Sequence, residues 1–138
     1  MLVFREIEEL AAEVKGKTAT LGDEPDLPFE ARRLHLLMRL VSYVNGYGWL
    51  SHEKTREKIA CFLRSRYNCR AVAEKFGLPL SRVHKTVSYA SERLRRRIGG
   101  VLSLIRSSNL DEAERELAMV TGAVDPSSLF VRGIPYSS

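Results

Sequence analysis

The chain has 138 residues, 44% hydrophobic and 28% charged, which is room for one modest domain, or a small domain plus an arm, of ordinary soluble composition. No window approaches the roughly 18 apolar residues of a membrane span. The N-terminus also turns acidic at Glu6, so neither a membrane partner nor a secretory leader is expected, and the reading is cytoplasmic. The net charge of +5 is unevenly placed, because thirteen Lys or Arg against three acids between Lys54 and Arg97 give that segment +10 and leave the flanks at −5. A basic middle between acidic flanks favours a module that binds a polyanion.

Every periodic segment has helical spacing, and none alternates as a strand does, so the fold expected is all-α. Val3, Ile7, Leu10 and Val14 predict a first helix that stops at Gly16. Residues 16–28 carry dense turn chemistry and read as a loop. Gly16-Lys17-Thr18 has the ending of a phosphate-binding loop, but Ala11 stands where its first glycine belongs, so that motif is dismissed. Pro28 suits the first turn of a second helix ending at Asn45-Gly46, with Phe29, Leu36, Leu37, Leu40, Val41 and Val44 as its apolar stripe. Ser51 reads as the cap of a third helix with Ile59, Phe62 and Leu63 inward and Arg56, Arg64 and Arg66 outside.

Asn68 can cap a short helix in which Val72, Ala73 and Phe76 face inward. Gly77 supplies a positive φ for the turn, Leu78 fills the corner, and Pro79 starts the next helix. There Val83, Val87, Ala90, Leu94 and Ile98 share one side, with Ser81, Lys85, Ser88, Glu92 and Arg96 opposite and His84 and Tyr89 flanking. One anchored side and one free side is what a helix that enters the DNA major groove requires. Gly99-Gly100 predicts a stop. Val101–Ile105 can be helix or strand. Asn109 with Glu112 reads as a capping box for a last helix with Leu110, Ala113, Leu117 and Val120 on one face, ending at Gly122. Residues 123–138, with two prolines and a glycine, read as an extended tail. The expected organisation is therefore a helical arm over 1–50, a helix-turn-helix module over 51–98 and an extension over 99–138.

Val72-Ala73-Glu74-Lys75-Phe76-Gly77, then Ser81-Arg82-Val83-His84-Lys85, then Ala90 through Leu94-Arg95, resemble region 4 of bacterial sigma factors. The similarity covers about residues 53–98. It implies binding to double-stranded DNA at an upstream promoter element and contact with RNA polymerase. It also implies base reading by Ser81, Arg82, His84, Lys85 and Ser88. Arg70, Lys75, Arg93, Arg95 and Arg96 read as phosphate contacts, which position a protein without reading sequence. Two residues depart from the family pattern: Pro79 stands where Ser or Thr is usual, and Thr86 where a larger apolar residue is. Nothing resembles sigma region 2, so a complete sigma factor is not expected.

Small terminase subunits carry similar modules, so DNA packaging by a ring of subunits is one alternative. A protein-interaction module of anti-sigma type, without DNA binding, is another. A homo-oligomer fits either DNA reading. RNA is disfavoured because Tyr67 and Tyr89 make no stacking platform. His35, His52 and His84 are scattered, and Cys61 and Cys69 lie eight apart, which suits neither a metal nor a disulfide framework. Glu112 and Glu116 read as surface charge. With no nucleophile, base and orienter in reach of one another, neither an enzyme nor a cofactor is expected.

Overall fold

The computed structural model describes residues 2–22 and 25–122. Among them run six helices and no strand: α1 (Val3–Leu21), α2 (Leu27–Gly46), α3 (Glu53–Arg64), α4 (Cys69–Phe76), α5 (Leu80–Arg106) and α6 (Leu110–Thr121). Residues 123–138, where an extended tail is expected, lie outside the described residues.

The centre of the molecule is α5. Val83, Val87, Ala90, Leu94, Ile98, Val101, Leu102 and Ile105 are all buried along one stripe, each fully buried Val, Leu or Ile contributing about 1.5–3 kcal/mol. The other five helices pack on this stripe or on one another, and one cluster of buried side chains runs without interruption from Val3 to Leu117. The boundary drawn at residue 98 falls inside α5.

Gly99-Gly100 does not stop the helix. Two interior glycines cost about 2 kcal/mol against alanine, but stopping at Ile98 would forgo the burial of Val101, Leu102 and Ile105. Tertiary packing decides the matter, and Val101–Ile105 is helical. Gly16 likewise fails to end α1, which runs on to Leu21 and closes at Gly22, whose φ is 59°. The expected loop over 16–28 is therefore cut back at both ends, since α1 runs to Leu21 and α2 begins at Leu27.

Smaller expectations also change. Ser51 caps nothing: α3 begins at Glu53 after His52, without a side-chain cap, and its first turn is held by Arg56 donating from Nε to the Leu50 carbonyl at 2.6 Å. Phe29 is 38% exposed and stands outside the core stripe of α2. Asn109 precedes α6 without a side-chain hydrogen bond, and Glu112 pairs with Arg115 instead of reaching back, so no capping box forms. Gly122, with φ 71°, ends α6 as expected.

Between α2 and α3 the chain buries Trp49 and Leu50 without a helix. The Trp49 indole Nε1–H donates to the Val44 carbonyl at 3.1 Å, which satisfies the one polar atom of that ring. Phe4 lies against both Trp49 and Phe62, each with ring centroids 6.2 Å apart. Those rings join α1, the Trp49 corner and α3.

Replacing both Gly99 and Gly100 with alanine should stabilise the protein. A Cβ at Gly99 would meet only Arg95 Cγ at 3.7 Å, and one at Gly100 would meet nothing within 4 Å. Thermal unfolding of the double variant should show a gain of about 1–2 kcal/mol; a loss would mean that the helix does not continue through this pair.

Candidate functional site

The site is organised by the turn between α4 and α5. Asn68 accepts a hydrogen bond at its side-chain oxygen from the Ala71 amide at 3.2 Å and so starts α4. Gly77, in the left-handed region with φ 64°, closes it, and the Leu78 amide donates back to the Ala73 carbonyl at 3.0 Å. Pro79 then precedes α5 as its extended cap, one residue before the first helical position expected for it. Val72 is buried, while Ala73, Phe76 and Leu78 are half-buried against the same core. Thr86 is half-buried, and its hydroxyl donates to the Arg82 carbonyl at 3.1 Å.

This anchoring leaves the opposite side of α5 open. Ser81, Arg82, His84, Lys85 and Ser88 are all exposed, and Tyr89 beside them is 53% exposed. Arg70 and Lys75 on α4 are exposed, as are Arg96 and Arg97 further along α5. A shallow hollow between the α3–α4 turn and the start of α5 brings Arg66 and Arg70 to the same place as His84. The sequence places Arg66 only on the outer side of the third helix. Its position at the hollow depends on a turn in which Arg66 and Tyr67 both take positive φ, 62° and 67°, and neither residue type announces that conformation.

Two of the expected phosphate contacts have partners inside the molecule. Arg93 is half-buried and donates from Nε to the Trp49 carbonyl at 2.9 Å. Arg95 is hydrogen-bonded through Nη2 to Glu6 on α1. Arg106 reaches the other oxygen of Glu6 at 3.4 Å. Ser91, 5% exposed, accepts the Val3 amide at 3.0 Å. The middle of α5 thus holds the first turn of α1, whose Leu2 offers no side-chain cap.

Ion pairing separates the cations into two groups. Arg32, Arg33, Arg95, Arg106 and Arg115 each meet a carboxylate. Among the described residues, none of the cations from Lys54 through Arg93 does. Glu57, Glu74 and Glu92 lie within that stretch of sequence and form no ion pair with them. Arg5, Arg39, Arg96 and Arg97 form no ion pair among the described residues either, but from Lys54 through Arg93 ten cations outnumber Glu57, Glu74 and Glu92, which leaves a net positive field along α3, α4 and the first half of α5.

Burial pushes the Cys69 thiol above its ordinary value. Among the described residues no group of three or more His, Cys, Asp or Glu could hold a metal ion, and no helix is long and apolar enough to cross a membrane. Comparison of the chain with protein-family models, with curated proteins and with solved structures returns no match.

The hydrogen bond from Arg95 holds the Glu6 carboxyl below its ordinary range, against the opposing effect of burial and with further help from the charges of Arg95 and Arg106. A depressed carboxylate contributes stability that is present above its unfolded pKa and is lost as pH falls through its folded pKa. Glu6→Gln should therefore be less stable than the wild type at neutral pH. The difference should close in acid, below the ordinary carboxylate range. Urea unfolding of both proteins at about pH 7 and about pH 3 measures this; a difference that stays constant would deny the pairing its role.

Proposed function

We propose that this protein binds double-stranded DNA, with α4, its turn and the first half of α5 serving as a helix-turn-helix of sigma region 4-like type in a transcription regulator. The observation that carries the reading is the excess of positive charge around an exposed helix face: the ten Lys or Arg from Lys54 through Arg93 form no ion pair among the described residues, and only Glu57, Glu74 and Glu92 lie among them in sequence. A surface on which like charges so outnumber the acidic ones bears their mutual repulsion, and a phosphate backbone relieves it.

Exposure on this face supports a division of roles. Arg82 and Lys85 stand where α5 would meet base edges, and an arginine there can donate in bidentate fashion to O6 and N7 of guanine. Ser81, His84 and Ser88 complete that face. Arg70, Lys75, Arg96 and, beside the hollow, Arg66 serve the phosphates. Arg93 and Arg95 serve mainly to hold α5 to the Trp49 corner and to α1, which sets the angle at which the reading face is offered. RNA polymerase remains the expected protein partner of a regulator of this type.

Fluorescence anisotropy with a selected duplex and a scrambled one tests the reading. Arg82→Ala with Lys85→Ala should weaken specific binding by about 2–4 kcal/mol and leave the scrambled duplex less affected. Arg70→Ala with Lys75→Ala should weaken both duplexes alike and flatten the dependence on salt. Absence of any binding at low salt would refute the proposal for this chain.

A further inference from the structure

The side of the molecule made by α1 and α2 carries a second surface. A groove of about 410 Å³ lies between these helices, and Glu8, Ala11, Ala12 and Lys15 of α1 and Met38 and Val41 of α2 form much of its lining. Met38 is 42% exposed there. The outer stripe of α2 continues from it: Ala31, His35, Met38, Ser42 and Asn45 are all exposed, and none is Asp, Glu, Lys or Arg. Their spacing of four, three, four and three residues is the seven-residue repeat with which one helix meets another. In a chain that is 28% charged, a helix stripe of five exposed positions without a charge calls for an occupant, although α1 beside it exposes Arg5, Glu8, Glu9, Glu13, Lys15 and Lys17.

The charges that do border the groove identify it. Glu8 and Lys15 stand two turns apart on one face of α1, with only Ala11 and Ala12 between them on that face. Glu8 lies beside the Tyr67 hydroxyl, which keeps its carboxylate at the rim, and Lys15 has no carboxylate partner among the described residues. A two-fold axis crossing both helices at Ala11–Ala12 stacks α1 on a second α1 and α2 on a second α2, each pair antiparallel. That operation sets Glu8 opposite the partner's Lys15 and Lys15 opposite the partner's Glu8. The alanines permit close approach at the axis, and the charge-free stripe of α2 meets its own copy without repulsion. Such self-complementarity is what an isologous interface demands.

We infer that the α1–α2 face is the dimer interface of this protein, closed by reciprocal Glu8–Lys15 pairs around Met38. Two helices of 19 and 20 residues offer about 30 Å by 20 Å, or roughly 600 Å² on each copy. A standard interface uses about 800 Å² per partner, so the dimer belongs to the weaker class, dissociating in the micromolar range. The groove adjoins the proposed DNA surface at Tyr67, which also borders the hollow beside Arg66 and Arg70, but the inference uses none of the DNA-facing cations and stands whether or not that proposal does.

Sedimentation equilibrium of the full chain from about 1 to 500 μM reads the dissociation constant directly, roughly bracketing the range expected. The wild type should pass from monomer to dimer. Met38→Glu should raise the constant at least about tenfold, and Lys15→Glu should raise it by a similar factor by setting two like-charge pairs at the interface. The swap of Glu8→Lys together with Lys15→Glu should bring it back toward the wild-type value, since only reciprocal pairing of α1 with α1 permits rescue. Circular dichroism checks that each variant keeps its helices, and the exposed Lys15 carries the test if the Met38 variant does not fold. A wild type that stays monomeric throughout, assembly that continues beyond the dimer, single variants without effect, or a swap that fails to rescue would each overturn the inference.

Discussion

Everything in this molecule is arranged around the burial of one side of α5. A helix of 27 residues is about 40 Å long, longer than any neighbour it has, and no single helix could cover its apolar stripe. The chain therefore brings α3 and α4 to its first half, α1 to its middle, and α6 to its second half, with α2 behind. Val83 and Ile105 sit near the two ends of the stripe and are both fully withdrawn from water. The length of the stripe also explains why two glycines in its middle are tolerated.

The same constraint sorts the charges. Where α5 is flanked by α1, its arginines are drawn into the structure: Arg95 and Arg106 share Glu6, and Arg93 satisfies the Trp49 carbonyl. In the first half, the flanking elements are the short α4 and the turn before it, which bring cations of their own and no carboxylate within pairing distance. One helix thus has a structural half and an open half, and the open half is the one that carries Arg82 and Lys85.

Much of this was legible in the residues. The spacing of Val83, Val87, Ala90, Leu94 and Ile98 marks the buried side of α5, and all five are buried. Asn68 and Gly77 mark the limits of α4 because each supplies something that the backbone there requires, a side-chain acceptor and a positive φ. The failures have a common cause. Gly16, Gly99 and Gly100 read as stops because local propensity was all that could be weighed, and propensity amounts to about 1 kcal/mol per residue, less than one buried leucine. Trp49 and Leu50 escaped notice because a buried corner has no period to detect. The partners of Arg93 and Arg95 lie 44 and 89 residues away in sequence, and charge alone does not reveal a distant partner.

The Ser91–Val3 hydrogen bond has a bearing on how the chain matures. It joins residues 88 apart, and the Glu6–Arg95 pair joins residues 89 apart, so the first turn of the first helix cannot be completed until most of the polypeptide exists. At about 5–20 residues per second on a ribosome, that interval is about 5–20 s. Throughout it the apolar residues Val3, Phe4 and Ile7 can be shielded by α2 but not sealed. Loop closure over so long a separation is the slow and exposed kind, so α1 is open to chaperones and to misassociation until α5 emerges.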